Sequence, residues 1–547
     1  MKKHKSLILF IAAIIIINIL AANYFFRVDL TEDKRYSLSD ATKSLLKGLE
    51  EPVYIEILLS GEDIGPDFSL MQKSLTDKLE EFSRYTKTDI NYYFNDPNLL
   101  PDTVRNRYMQ GYFKVGIKPK MMVDVENGTL SKRTVLYPGL VIKYKNNIEG
   151  INLFKWNDVP RNKRQRKELV NKSIENIEYE LAFALRKLTV QQKKSIAFLS
   201  GHGELTEQET FTIRKKLSEV YEVKNVQLTE YTDLSKHDLV VMAKPRIPFG
   251  EKEKFVLDQY LVNGGNALFL YDAVSELPDS TNEQYSYLAP LDLNMRDFFF
   301  RLGVRFNDDL IKDVQCVKID EANWYFYPFL FNFNPSSPVV RNSDAISAKF
   351  ISTIDTTKAV GIKKTPLVFS SKVSRRVKAP VVIDMGVGKP IKEEQFQEGS
   401  FPVGYLLEGK FVSNYQYRPS PIRGKKVVEK NKNARVVLLG DGDIIKDMID
   451  PKTKKQLPLG YEVYSKRMFG NADFLQNIVE YLVEGNTLIA AKAAERIVRP
   501  LDTQKVSKEK AFWQVLNIVV PIILVALFGL GKFFMRKRKY ALKNRSI

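Results

Sequence analysis

The sequence predicts an α/β protein with two extramembrane domains, an N-terminal α/β domain and a larger doubly wound one carrying a β-rich insertion, held between two transmembrane helices. Three observations carry that prediction: an uncharged apolar run near each end, short apolar strands alternating with amphipathic helices, and a long middle stretch rich in aromatics and turns. At 547 residues with 44% apolar positions, the chain can bury several cores and is not compositionally disordered.

Between Lys5 and Arg27 no charge occurs from Ser6 to Phe26, and between Lys510 and Lys532 none occurs from Ala511 to Gly531. A helix rises about 1.5 Å per residue, so either segment covers a hydrocarbon core of roughly 30 Å. Pro521 kinks the second helix without forbidding it. Lysines and arginines flank both runs on their outer sides, at 1–5 and 532–547. The positive-inside rule therefore predicts two cytoplasmic tails and a middle, residues 27–510, on the other side of the membrane. Tyr24 and Trp513 fall near the far-side boundary, where amphipathic rings are favoured. The rival for the first run is a cleavable signal peptide; Ile19 to Asn23 offers no clear small-x-small cleavage site, so retention is expected.

The formal charge of +19 resembles a nucleic-acid signal until it is mapped. Ten of the cations flank the two apolar runs, which leaves about +9 for the middle. The densest internal basic stretch, Arg161 to Lys167, could hold phosphates, but on a segment placed outside the cytoplasm nucleic acid is not an expected partner. A single cysteine, Cys316, excludes an intramolecular disulfide and a CxxC metal cage. No GxxxxGK[ST] occurs, so the chain is not itself expected to hydrolyse ATP, and neither cofactor nor metal is called for.

Residues 27–190 form the first predicted domain. Tyr36 to Leu49 opens with a Ser/Asp-rich cap, Val53 to Leu59 reads as a buried strand, Leu70 to Tyr85 as an amphipathic helix and Asp89 to Phe94 as a second strand. A β-rich stretch from Tyr112 to Tyr144 follows, with turns at Glu126-Asn127-Gly128 and Pro138-Gly139. The helix Leu169 to Leu188 closes the domain, its Ile and Leu recurring every three to four residues.

Residues 191–500 form the second. Ile196 to Leu199, Val223 to Leu228, Leu239 to Ala243 and Ala267 to Leu270 are strands alternating with helices at Thr210 to Val220 and Glu251 to Val262, the pattern of a parallel doubly wound sheet. Periodicity weakens from about 272 to 432, the expected insertion. It returns with the strand Arg435 to Leu439 and the helix Asn471 to Leu482, ahead of a linker at 501–510.

Two loops follow predicted strands of that sheet, the position where open α/β sheets place ligands. Gly201-His202-Gly203-Glu204 offers an imidazole and a carboxylate, and Gly440-Asp441-Gly442-Asp443 offers two carboxylates. His202, Glu204, Asp441 and Asp443 are thus the candidate ligand-binding residues. None is expected to be catalytic. Asp441-Gly442-Asp443 resembles a phosphotransferase pair, but Ile444 and Ile445 follow it and no partner lysine is evident. A glutamine-amidotransferase site needs a cysteine on a sharp strand-to-helix turn, and Cys316 has no glycine elbow.

Several stretches together resemble a known family. They are Asp29-Leu30-Thr31-Glu32 with Arg35 to Ser39, Ser200 to Glu204, Asn263-Gly264-Gly265, Gly440 to Asp443, and Gly470-Asn471-Ala472-Asp473-Phe474. In order and in two-anchor layout they resemble the GldG family of gliding-motility-associated ABC-transporter components, labelled substrate-binding or auxiliary subunits. The resemblance spans almost the whole chain. It implies an amidotransferase-like fold without its nucleophile, and a non-enzymatic subunit in the inner membrane of a Bacteroidetes-type bacterium. The implied partners are a separate permease, a separate ATPase, the lipid bilayer and envelope gliding machinery. The alternatives are a membrane-anchored hydrolase using His202, Glu204 or Asp441, and a structural scaffold.

Overall fold

Alternation of apolar residues sets the smaller sheet, in which Val53, Ile55 and Ile57 turn to one face of β1 (Val53–Ile57). The computed structural model describes residues 37–61, 64–126, 129–154, 163–277, 285–319, 322–341, 343–384, 393–450, 452–485, 488–489 and 503–541. The first apolar run, the tail at 1–5, the motif at 29–36, the Asn127-Gly128 turn, the start of the 161–167 basic stretch, part of the 501–510 linker and the last six residues lie outside them.

Ser39 caps α1 (Asp40–Lys47), its hydroxyl accepting from the Thr42 N–H at 3.2 Å. β1 then leads through α2 (Pro66–Ser83) to β2 (Ile90–Phe94), and the two strands pair in parallel, the β-α-β unit the sequence predicts. One element departs from expectation. Asp102–Lys114 is a helix, α3, and regular strand begins only at β3 (Lys120–Glu126) and β4 (Thr129–Leu136), which form a hairpin. The α3 sequence carries no leucine or isoleucine, so its period is faint; Tyr112 and Met109 nevertheless pack against Ile117 and Tyr137. β5 (Gly139–Tyr144) and β6 (Asn147–Asn152) complete a sheet of order β2-β1-β5-β6. Its inner face is covered by α2 through Phe68, Leu75 and Leu79, and by the 27-residue α4 (Lys163–Thr189) through Ile174, Ile177, Leu181 and Leu185.

The larger sheet follows from near-continuous apolar runs, which need cover on both sides. β7 (Ser195–Ser200), β8 (Glu222–Gln227), β9 (Leu239–Ala243), β10 (Asn266–Leu270) and the strand Ala434–Leu439 are all parallel, in the order β8-β7-β9-β10-(434–439). Alternate residues feed two cores. Ile196, Phe198, Val241, Leu268 and Val437 meet α5 (Phe211–Ser218) and α8 (Asn471–Glu484) on one face. Ala197, Leu199, Val240, Met242 and Phe269 meet α6 (Glu251–Val262) and α7 (Arg296–Leu302) on the other. Each of these side chains larger than alanine contributes about 1.5–3 kcal/mol by leaving water. Helices on both faces make this the doubly wound arrangement that the alternation predicts, with the strand order reversing between β7 and β9.

The stretch expected as a β-rich insertion is rich in short strands, and two of its longer ones, Ile362–Phe369 and Pro402–Gly409, extend the main sheet in antiparallel fashion. Val403 and Leu406 enter one core while Tyr405 and Leu407 enter the other, so these strands too are sandwiched. Cys316 lies in a strand, buried beside Tyr325 and Phe396, and burial pushes its thiol up to about 12.

A second unit, divided from the first after residue 495, contains α9 (Thr503–Ala541). Within it Phe512–Arg538 is long and apolar enough to cross a membrane, with a mean hydropathy of 2.4, and Pro521 lies inside the helix as anticipated.

Candidate functional site

Parallel strands deliver their following loops to one edge, so β7, β9, β10 and the strand Ala434–Leu439 bring four chain segments together. Directly past the last three stand Lys244, Asp272 and Asp441. Lys244 Nζ lies 2.9 Å from Asp272 Oδ2 and 2.6 Å from Asp443 Oδ2. Asp272 Oδ1 accepts the Gly442 N–H at 2.6 Å. Asp441, 0% exposed, accepts the Asp443 N–H on Oδ1 at 2.6 Å and the Lys349 N–H on Oδ2 at 2.7 Å. Lys244 and the three aspartates therefore bind the loops after β9, β10 and Ala434–Leu439 to each other and to the backbone of Lys349.

Local backbone explains the residue types. Lys244 adopts φ +52°, unusual for a non-glycine residue, and a Cβ on Gly442 would stand 2.5 Å from the Lys244 Cβ. Only glycine at 442 lets the two loops close enough for the ion pair.

Burial raises the Asp441 carboxyl well above the usual range, and the adjacent Asp443 and Asp272 charges push the same way. Asp272 is raised by burial against the pull of Lys244. For Lys244 burial acts to lower the pKa, but Asp272 and Asp443 outweigh it and the ammonium is held more firmly than an ordinary lysine. Among the described residues no group of three or more His, Cys, Asp or Glu is arranged to hold a metal ion.

The Gly201 to Glu204 loop sits at the neighbouring position, past β7. Glu204 Oε2 accepts the His202 N–H at 2.7 Å, and the imidazole stacks on Phe249 with ring centroids 3.9 Å apart. The His202 carbonyl accepts from Arg246 and Ile247 N–H, which ties this loop to the one after β9. His202 Nδ1 and Glu204 Oε1 stand 3.8 Å apart, too far for a hydrogen bond, and neither has another partner among the described residues. Burial lowers the His202 pKa, with Glu204 opposing. Gly203, at φ +71°, faces Arg246 Cβ closely enough to disfavour a side chain there.

The structure thus gathers the four predicted residues on one edge in two groups: His202 with Glu204, and Asp441 with Asp443. It adds Lys244 and Asp272, the lysine partner and third carboxylate that the sequence did not disclose. Their one signal was position, each being a charged residue within two places of the end of an apolar strand.

In architecture this is an α/β chain with a doubly wound sheet, a loop hub of paired charges and a helix long and apolar enough to cross a membrane. The family match supplies the particular: residues 193–478 fit the model described as an ABC-type uncharacterized transport system, and the chain belongs to that family of transporter auxiliary components. Residues 32–143 fit a second model, described as a domain of unknown function (DUF7088). A protein of Borreliella burgdorferi, described as uncharacterized, is 22% identical over 533 residues and covers 94% of both chains. Among solved structures the mmIFT52 N-terminal domain is similar, with a TM-score of 0.32 and 14% identity over 53% of this chain and 98% of that one.

Proposed function

We propose that this chain is a non-enzymatic accessory subunit of an ABC transporter of the gliding-motility GldG type, acting with separate permease and ATPase subunits. The observation that carries the reading is the family match across the large sheet, in a chain that also holds a membrane-length apolar helix. On this reading the first apolar run, residues 6–26, is a second span, both basic flanks are cytoplasmic, and the bulk of the chain faces the periplasm. The amidotransferase-like sheet serves as a scaffold. Support for a non-catalytic role comes from Cys316, whose thiol is buried and held protonated, and from Asp441, both of whose oxygens already accept backbone N–H groups.

Copurification tests the reading. A C-terminal tag on the full chain in mild detergent is expected to recover a polytopic permease and an ATPase together. Recovery of the chain alone across several detergents, with its fold intact, would overturn the transporter assignment. Reaction of an N-terminal cysteine with a membrane-impermeant thiol reagent in intact cells would overturn the topology.

A further inference from the structure

At the opposite, amino end of the parallel strands the chain between Gly409 and Ala434 runs for 24 residues without helix or strand. Connections of that length are usually functional or disordered. This one is pinned. Asp258 of α6 accepts from Ser413 Oγ at 2.6 Å and from the Asn414 N–H at 2.7 Å, Gln259 exchanges hydrogen bonds with the Val428 backbone, and Phe411, Tyr415 and Ile422 enter the core.

Its outer side is basic. Residues 410–433 hold seven Lys or Arg against one acid, Glu429, and all seven are exposed. Lys425, Lys426 and Lys432 line a groove of about 680 Å³ together with His237 and Asn266 and with two acids, Asp233 and Asp238. Two tyrosines stand out in water here: Tyr417 at 84% exposure on the loop itself, and Tyr231 at 83% next to Glu230, whose carbonyl accepts from Lys425 Nζ at 3.2 Å.

We infer that this loop is a docking surface for an anionic phospholipid membrane, the groove taking a phosphate headgroup and the tyrosines the interfacial layer. Charge sign selects a polyanion. Residue type selects lipid over protein: five of the seven cations are lysines, a residue depleted from protein interfaces, whereas lysine clusters beside exposed tyrosine suit a headgroup layer. The inference rests on membrane association of the chain and is independent of the transporter assignment.

The test uses the full chain in neutral phosphatidylcholine nanodiscs, mixed with vesicles of phosphatidylcholine alone or with phosphatidylglycerol. A second arm places Tyr417→Cys, labelled with an environment-sensitive dye, in discs of either composition; Cys316 is buried and stays unlabelled. Expected are salt-sensitive cosedimentation with phosphatidylglycerol vesicles, or dye burial in phosphatidylglycerol discs. Changing Lys425, Lys426, Lys430 and Lys432 together to Gln should weaken the interaction roughly a hundredfold or more, at about 1 kcal/mol per cation, with the melting temperature retained. Equal behaviour with neutral lipid, no response in either arm, or an unaltered quadruple variant would overturn the inference. Retention on polyglutamate beads without lipid binding would overturn it in favour of an acidic protein.

Discussion

The two ends of the large parallel sheet use charge in opposite ways. At the carboxyl end Asp441 is buried and Lys244, Asp272 and Asp443 are half-buried and paired with one another, so charge there fixes loops. At the amino end the lysines of 410–433 stand in water over a groove, while the buried polar groups lie beneath them as anchors. Position at a strand's carboxyl end says where a fold can build a site. Whether it has built one depends on what remains unpaired: the Lys244 cluster is paired within itself, His202 Nδ1 and Glu204 Oε1 beside it are not, and at the amino end the exposed lysines carry the surplus charge.

Substitutions sharpen this contrast. The largest effect is expected from Lys244→Met, which strands Asp272 and Asp443 without a countercharge; chemical unfolding should show a loss of about 3–5 kcal/mol. Next comes Asp258→Ala at the amino end, which leaves Ser413 and Asn414 unsatisfied and should cost about 1–3 kcal/mol while loosening the basic loop, measurable as faster proteolysis within 410–433.

His202→Gln should act through pH. Because burial depresses the folded-state pKa below 6.5, the unfolded chain takes up the proton first as pH falls. Wild-type stability should therefore drop relative to the variant as pH falls through about 6.5, by at most about 1.4 kcal/mol per pH unit, and a pH-independent difference would break the account of that loop. The smallest effect is expected from the four lysine changes, within about 0.5 kcal/mol in stability. A large loss there would make the basic loop structural and erase the contrast.

Much of the scaffold was legible because its runs are strongly apolar. SIAFLS and LVVMA announce β7 and β9, and the spacing of Ile174, Ile177, Leu181 and Leu185 announces α4. Helix α3 was not legible, since its contacts come from Tyr112 and Met109 within a polar stretch. The loops holding His202, Glu204, Asp441 and Asp443 were legible from glycines beside charged residues after strands. Their partners were not, because Lys244 and Asp443 are 199 residues apart in sequence and meet only through strand order. Nor did the length and basic character of 410–433 disclose that Asp258 and Gln259 hold it in place.

A double-mutant cycle on Lys244→Met and Asp443→Asn, followed by chemical unfolding of the full chain, tests most directly that the carboxyl-end cluster is a self-paired hub. The account predicts that the double variant is more stable than the sum of the single losses, with a coupling of about 0.5–3 kcal/mol. Additivity within about 0.3–0.5 kcal/mol would contradict it, because the two charges would then not be holding each other.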